Sequence, residues 1–145
     1  ARSVAAMSGG DFNALFTPLA ERAAILQFGK SGDALDEASR ALLDKTFSDQ
    51  RGASYFLVVS RASPEGSTDY NRELSQRRAG AVLEHLKANY NDPDLDQEVG
   101  LLWLGEEFAQ LDEEFCKWNR SQPEGPCATD VLNRSAFIAW IDCQL

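Results

Sequence analysis

The chain has 145 residues, 43% of them hydrophobic and 26% charged, with 23 acidic against 14 basic side chains and a net charge of −9. That is one domain's worth of sequence, long enough to bury a core without staples. Nothing in it forms the basic patch that nucleic acid or an anionic membrane surface demands, and no apolar run approaches the roughly 20 residues that span a bilayer.

No charged-then-apolar leader stands at Ala1, so the chain is expected to be mature or trimmed. Residues 1–10 are small and polar with paired glycines, which suggests a flexible lead-in. Phe12, Leu15, Phe16 and Leu19 then recur at helical spacing, interrupted by Pro18, and predict a short helix or turn packing on the domain. Ala23 to Phe28 (AAILQF) predicts the first strand. The Gly29-Lys30-Ser31 triplet is no phosphate loop, because that motif needs a further glycine five positions before its Gly-Lys pair and Ala24 stands there. Asp33, with Asp36 three residues on, predicts a capped helix to about Phe47 whose apolar face is Leu35, Ala38, Leu42, Leu43 and Phe47. Ser48 to Ser54, with Gly52, is the loop after that helix.

Tyr55 to Ser60 (YFLVVS) is an aromatic and β-branched run short enough for a buried strand, and Pro64 and Gly66 stop it. A helix then begins near Ser67, Thr68 or Asp69, each able to cap a first turn. At helical periodicity Leu74, Ala79, Val82, Leu83, Leu86 and Tyr90 share one face, and Arg78 falls on it. A guanidinium rarely faces a core. Two readings stand: the stem runs along the core edge to a structural carboxylate, or the charge lines a pocket beside the strand-to-helix turn and receives an anion through forked hydrogen bonds.

Asn89 to Gln97 is turn-rich and contains Pro93, so the helix ends by Asn91. Val99 to Leu104 (VGLLWL) predicts a third strand, followed by Gly105, Glu106 and Glu107. Phe108 to Thr129 is a long excursion with Cys116, Trp118, Pro123, Pro126 and Cys127, and loops of that length are functional or stapled. Three cysteines without clustered histidine argue against zinc, since His85 is the one histidine and lies mid-helix. Asn133 and Arg134 lead into SAFIAWID, an edge-like strand with alternating side chains.

From Tyr70 to Leu86 the chain reads YNRELSQRRAGAVLEHL, and this stretch resembles the helix motif of OmpA-like domains, the peptidoglycan-anchoring modules of the bacterial envelope. Tyr70, Asn71, Leu74, Ser75, Arg78, Ala79, Val82 and Leu86 are in register with it. The resemblance extends over about Ala23 to Asp142, taking in the strand that ends at Phe28, the Gly105-Glu106 pair and the closing Asn133-Arg134. It implies an α+β fold: a two-layer β-α-β-α-β-β sandwich, a small mixed sheet with helices on one face, whose strand order comes from the family. Residues 1–22 are then a lead-in segment and residues 23–145 the OmpA-like domain. Some family members carry a disulfide in the excursion, which implies Cys116 with Cys127. Cys143 is left over, and its pairing with either stays open. A disulfide agrees with an oxidising compartment such as the bacterial periplasm.

In the family a turn Asp and the helix Arg hold the zwitterionic end of diaminopimelate in the peptidoglycan stem peptide. This chain keeps the Arg, whereas Arg61, Ala62 and Ser63 stand where the family has His-Thr-Asp, followed by Pro64, Glu65 and Gly66. Glu65 or Asp69 is the candidate to supply the missing charge. The resemblance thus implies Arg78 and Arg134 as carboxylate ligands, with Asn71, Leu74 and the turn from Ser63 to Glu65 around them. Arg134 should lie near Arg78, and two converging guanidiniums call for an anion. An acidic side chain of the protein itself would close that cleft.

The function implied is that of a non-catalytic cell-wall binding module, with the peptidoglycan stem peptide as partner and no metal or cofactor. It belongs in the periplasm, tethered to the outer membrane by sequence outside this chain, with no nucleic-acid partner and no direct insertion of this segment into a membrane. The alternative is an OmpA-like envelope domain that has lost peptidoglycan binding and serves protein–protein interaction or oligomerisation. An enzyme is disfavoured, because no Gly-x-Ser-x-Gly elbow and no spaced acid, base and nucleophile stand out.

Overall fold

The computed structural model describes residues 7–142. The start of the expected flexible lead-in and Cys143 lie outside the described residues. The elements run in the order α1 (Gly9–Ala14), a 3₁₀ turn (Thr17–Arg22), β1 (Ala23–Gln27), α2 (Glu37–Ser48), β2 (Tyr55–Ser60), α3 (Thr68–Asn89), α4 (Leu95–Glu98), β3 (Val99–Trp103), a 3₁₀ turn (Glu113–Lys117), α5 (Thr129–Asn133) and β4 (Ser135–Ile141). The strands form one mixed sheet in the order β1-β4-β2-β3. β2 runs parallel to β3 and antiparallel to β4, and β4 runs antiparallel to β1. This is the expected α+β arrangement, with α2 and α3 on one face.

Local chemistry sets the helix starts. Ser67 Oγ accepts from the Tyr70 N–H at 3.1 Å and caps α3. For α2 the expected cap Asp33 is replaced by Asp36, whose Oδ1 accepts from the Ser39 N–H at 2.8 Å. Asp33 instead meets Arg77 of α3 at 2.8 Å, a partner 44 residues away that no local pattern announces.

The edge-like assignment of the last strand is corrected. β4 lies between β1 and β2, and six of its seven residues are buried. Both alternating sets of its side chains are apolar and both faces are covered, by the helices on one side and a second core on the other. Ala136, Ile138 and Trp140 join Leu43, Phe47, Val82 and Leu86 beneath the helices. Phe137 and Ala139 face the other way, into a second core with Ile25, Val59, Phe115 and Leu132.

Phe12 and Phe16 complete that second core, at 7% exposure each, so the stretch from α1 to Arg22 packs on the sheet. The rest of the cover is the excursion, closed by the Cys116–Cys127 disulfide. It also seals the outer edge of β1. Ile25 N–H donates to Asn119 O at 2.8 Å, Ser121 N–H to Ile25 O at 3.0 Å, and Gln27 N–H to Ser121 Oγ at 2.8 Å.

Candidate functional site

The turn after β2 is buried at Arg61, Ala62 and Ser63. Arg61 continues the face of Val59 and turns into the second core, 1% exposed. Its Nε donates to Ala109 O at 2.7 Å and its Nη2 to Asn13 Oδ1 at 2.8 Å, while Nη1 meets no partner among the described residues. Burial pulls its pKa down to about 9. Sequence reasoning gives Arg61 no structural role, although a signal for one exists: an Arg two positions beyond a buried Val on a strand shares its face.

Arg78 is fully buried. Nε donates to Gly32 O at 2.8 Å, Nη1 to Arg61 O at 3.0 Å and Nη2 to Gly29 O at 3.2 Å. The guanidinium also lies 5.2 Å from the centre of the Phe28 ring. In place of the structural carboxylate of the first sequence reading, its donors reach backbone carbonyls, and the side chain is closed off from solvent. It ties the turn after β1 to the turn after β2. Burial, and after it the charge of Arg134, brings its pKa down to about 10, so it stays protonated at neutral pH.

The charges of Asp33 and Glu65 act on Arg78 in the opposite sense to that of Arg134. Arg134 already has an anion. It forks onto Glu65, Nε to Oε1 at 2.8 Å and Nη2 to Oε2 at 2.6 Å, with Asp130 at 3.5 Å behind it. Ser63 Oγ donates to the same Glu65 carboxylate, and Lys30 Nζ lies 3.8 Å from it. Arg134 first and Ser63 next push the Glu65 pKa down to about 2, and Glu65 in turn raises that of Arg134. The acidic partner that would close a free cleft is thus present, and it is Glu65. Asp69, the other candidate, is exposed and pairs with Arg72 at 3.1 Å.

The remaining expected residues surround this pair. Asn71 is buried and donates to Glu106 Oε1 at 2.9 Å, and Leu74 is in the core at 3% exposure. Asn133 is buried and clamps the excursion, accepting from Leu111 N–H at 2.7 Å and donating to Leu111 O at 3.0 Å. Beside the ion pair a cavity of about 320 Å³ is lined by Pro64, Leu111, Thr129, Asp130 and Asn133 among others. The side chains of Glu65 and Arg134 are 26% and 17% exposed, so both reach solvent while Arg78 does not.

No family model matches the sequence. Over 63 residues, 43% of this chain, it is 36% identical to outer membrane protein 41 of Porphyromonas gingivalis, and the match spans 15% of that protein's length. Among solved structures, the fold is similar to the peptidoglycan-associated lipoprotein of Burkholderia pseudomallei, with TM-score 0.58, 20% identity, and coverage of 81% of this chain and 89% of that one. It is also similar to the OmpA-like domain of FopA1 from Francisella tularensis, with TM-score 0.57, 16% identity, and coverage of 83% and 74%. The cell wall anchor of the T6SS from Pseudomonas aeruginosa gives TM-score 0.53, 18% identity, and coverage of 92% and 96%. In the order of its strands and helices and in these likenesses, the chain has the fold of an OmpA-like domain.

Proposed function

We propose that this domain is a non-catalytic envelope module that associates with the cell wall through the peptidoglycan stem peptide, and that Glu65 and Arg134, rather than Arg78, present the charges. The observation that carries this is the partly exposed, forked Glu65–Arg134 pair beside the turn that lacks the family's Asp. A zwitterionic amino-acid terminus brings one charge of each sign. Its ammonium can take Glu65 and its carboxylate Arg134, so that an internal ion pair opens without leaving either partner unpaired. A simple anion offers no such exchange.

The second reading is that wall binding has been lost and that the domain contacts envelope proteins instead. It is favoured by the completeness of the internal pairing, since Arg134 is satisfied by Glu65 and Arg78 by three carbonyls.

Sedimentation with purified, diaminopimelate-containing peptidoglycan tests the choice. The intact domain is expected in the pellet, and both Glu65→Gln and Arg134→Gln are expected to lower the bound fraction, by about tenfold in affinity for each lost charged hydrogen bond. An intact domain that stays in the supernatant overturns the first reading and favours the second. Binding that survives both substitutions removes the ion pair from the site.

A further inference from the structure

The two edges of the sheet are treated in opposite ways. The outer edge of β1 is closed by the chain's own residues 119–121, whereas β3 pairs with β2 alone among the described residues. The Leu104 N–H reaches Ser60 O at 2.9 Å. By the alternation of a parallel ladder, the N–H and C=O of Leu101 and Trp103 face away from the sheet. Edge strands are ordinarily blunted by charge, proline or a bulge, and VGLLW has no charge or proline and keeps unbroken register with β2. Leu102 and Trp103 at its end are 40% and 42% exposed.

The entrance of the strand is the reverse in character. Asp92, Asp94 and Glu98 hold carboxylate oxygens within 4.8 Å of one another, and no basic side chain pairs with them among the described residues. Burial first, and then the hydrogen bond and charge of Asp92, raise the pKa of Glu98.

We propose that the outer edge of β3 is a docking edge for an extended, cationic segment of a partner protein, which adds to the sheet as a fifth strand. Its Lys or Arg residues lie against Asp92, Asp94 and Glu98, and its apolar residues lie against Leu102 and Trp103. Main-chain hydrogen bonds supply the common part of the affinity and the two ends supply direction. The five residues of β3 offer about 17 Å of ladder. A second copy of this chain fits badly. Antiparallel self-pairing brings Asp92, Asp94 and Glu98 against Glu106 and Glu107 of the other copy, between molecules that each carry a net charge of −9. The inference is independent of the wall-binding site, which lies on other elements.

The probes are two acetylated peptides, Lys-Lys-Lys-Thr-Val-Thr-Val-Thr-Val and its reverse, added to the intact domain. Amide hydrogen exchange read by NMR is expected to slow at Leu101 and Trp103 with one of them, and the tryptophan fluorescence of a Trp118→Phe, Trp140→Phe variant, which reports Trp103, to shift to the blue. The Asp92→Asn, Asp94→Asn, Glu98→Gln variant should weaken binding by about tenfold, and a peptide N-methylated at alternate residues should not bind. Unchanged exchange at both amides with both peptides overturns the proposal. So does equal binding by a peptide in which Glu replaces Lys, or protection of the same amides by concentration alone, which assigns the edge to self-association.

Discussion

Arg78 and Glu65 place two kinds of charge in one small region and give them different work. Arg78 satisfies the carbonyls of Gly29, Gly32 and Arg61 from inside the fold. Arg78→Met keeps most of the stem packing and strips three buried acceptors of their donor, which should cost about 3 kcal/mol or more in denaturant unfolding. Arg78→Lys should recover only part of this, because a single ammonium cannot span three carbonyls set by a planar fork. Glu65 makes a different prediction, in pH. Its pKa is about 2 in the folded protein against 4.5 ordinarily. The folded value is depressed, so its contribution is complete above pH 4.5 and is lost as pH falls from there toward 2. Unfolding measured through that window should therefore show a steeper acid loss in the natural chain than in Glu65→Gln. Parallel curves for the two would show that the Arg134 pairing contributes nothing.

At the scale of elements, the excursion between β3 and β4 carries a structural task that its loop-like composition conceals. The Cys116–Cys127 bond closes a loop of sequence separation 11, and Trp118 stacks beside Phe115 at 5.0 Å and meets Phe137 of β4 at 5.6 Å. Residues 119–121 then run along β1 as a partial fifth strand. Reduction should lower stability by about 3 kcal/mol in the chain-entropy account. It should also speed amide exchange at Ile25 and Gln27, whose N–H groups the excursion engages. A reduced protein with unchanged exchange at those two amides would mean that packing of Phe115 and Trp118 holds the excursion without the bond.

For the molecule as a whole, the sheet is a wall between two cores, and the second core is completed from the N-terminal side. A chain beginning at Ala23 loses the burial of Phe12 and Phe16, worth about 2 kcal/mol each. It also takes from Arg61 the Asn13 oxygen that receives its Nη2. Thermal unfolding of that shortened chain should fall by more than about 10 °C, or folding should fail. An unchanged midpoint would place the domain boundary at residue 23 after all. Truncation of residues 1–6 alone removes none of these contacts.

Much of this was legible locally. The periodicity of Leu74, Ala79, Val82 and Leu86 fixes the face of α3, the run YFLVVS fixes β2, and Ser67 announces its helix, because each depends on residues within a few positions of one another. The resemblance at Tyr70–Leu86 added the family's fold and its disulfide. Tertiary structure alone decided where the charges end. Arg78 finds carbonyls up to 49 residues away, and Arg134 finds a carboxylate 69 residues away. A backbone carbonyl has no sequence signature, and the partner of a long cation is chosen by which turns the sheet order brings together. The interior place of β4 and the open edge of β3 come from that same long-range pairing.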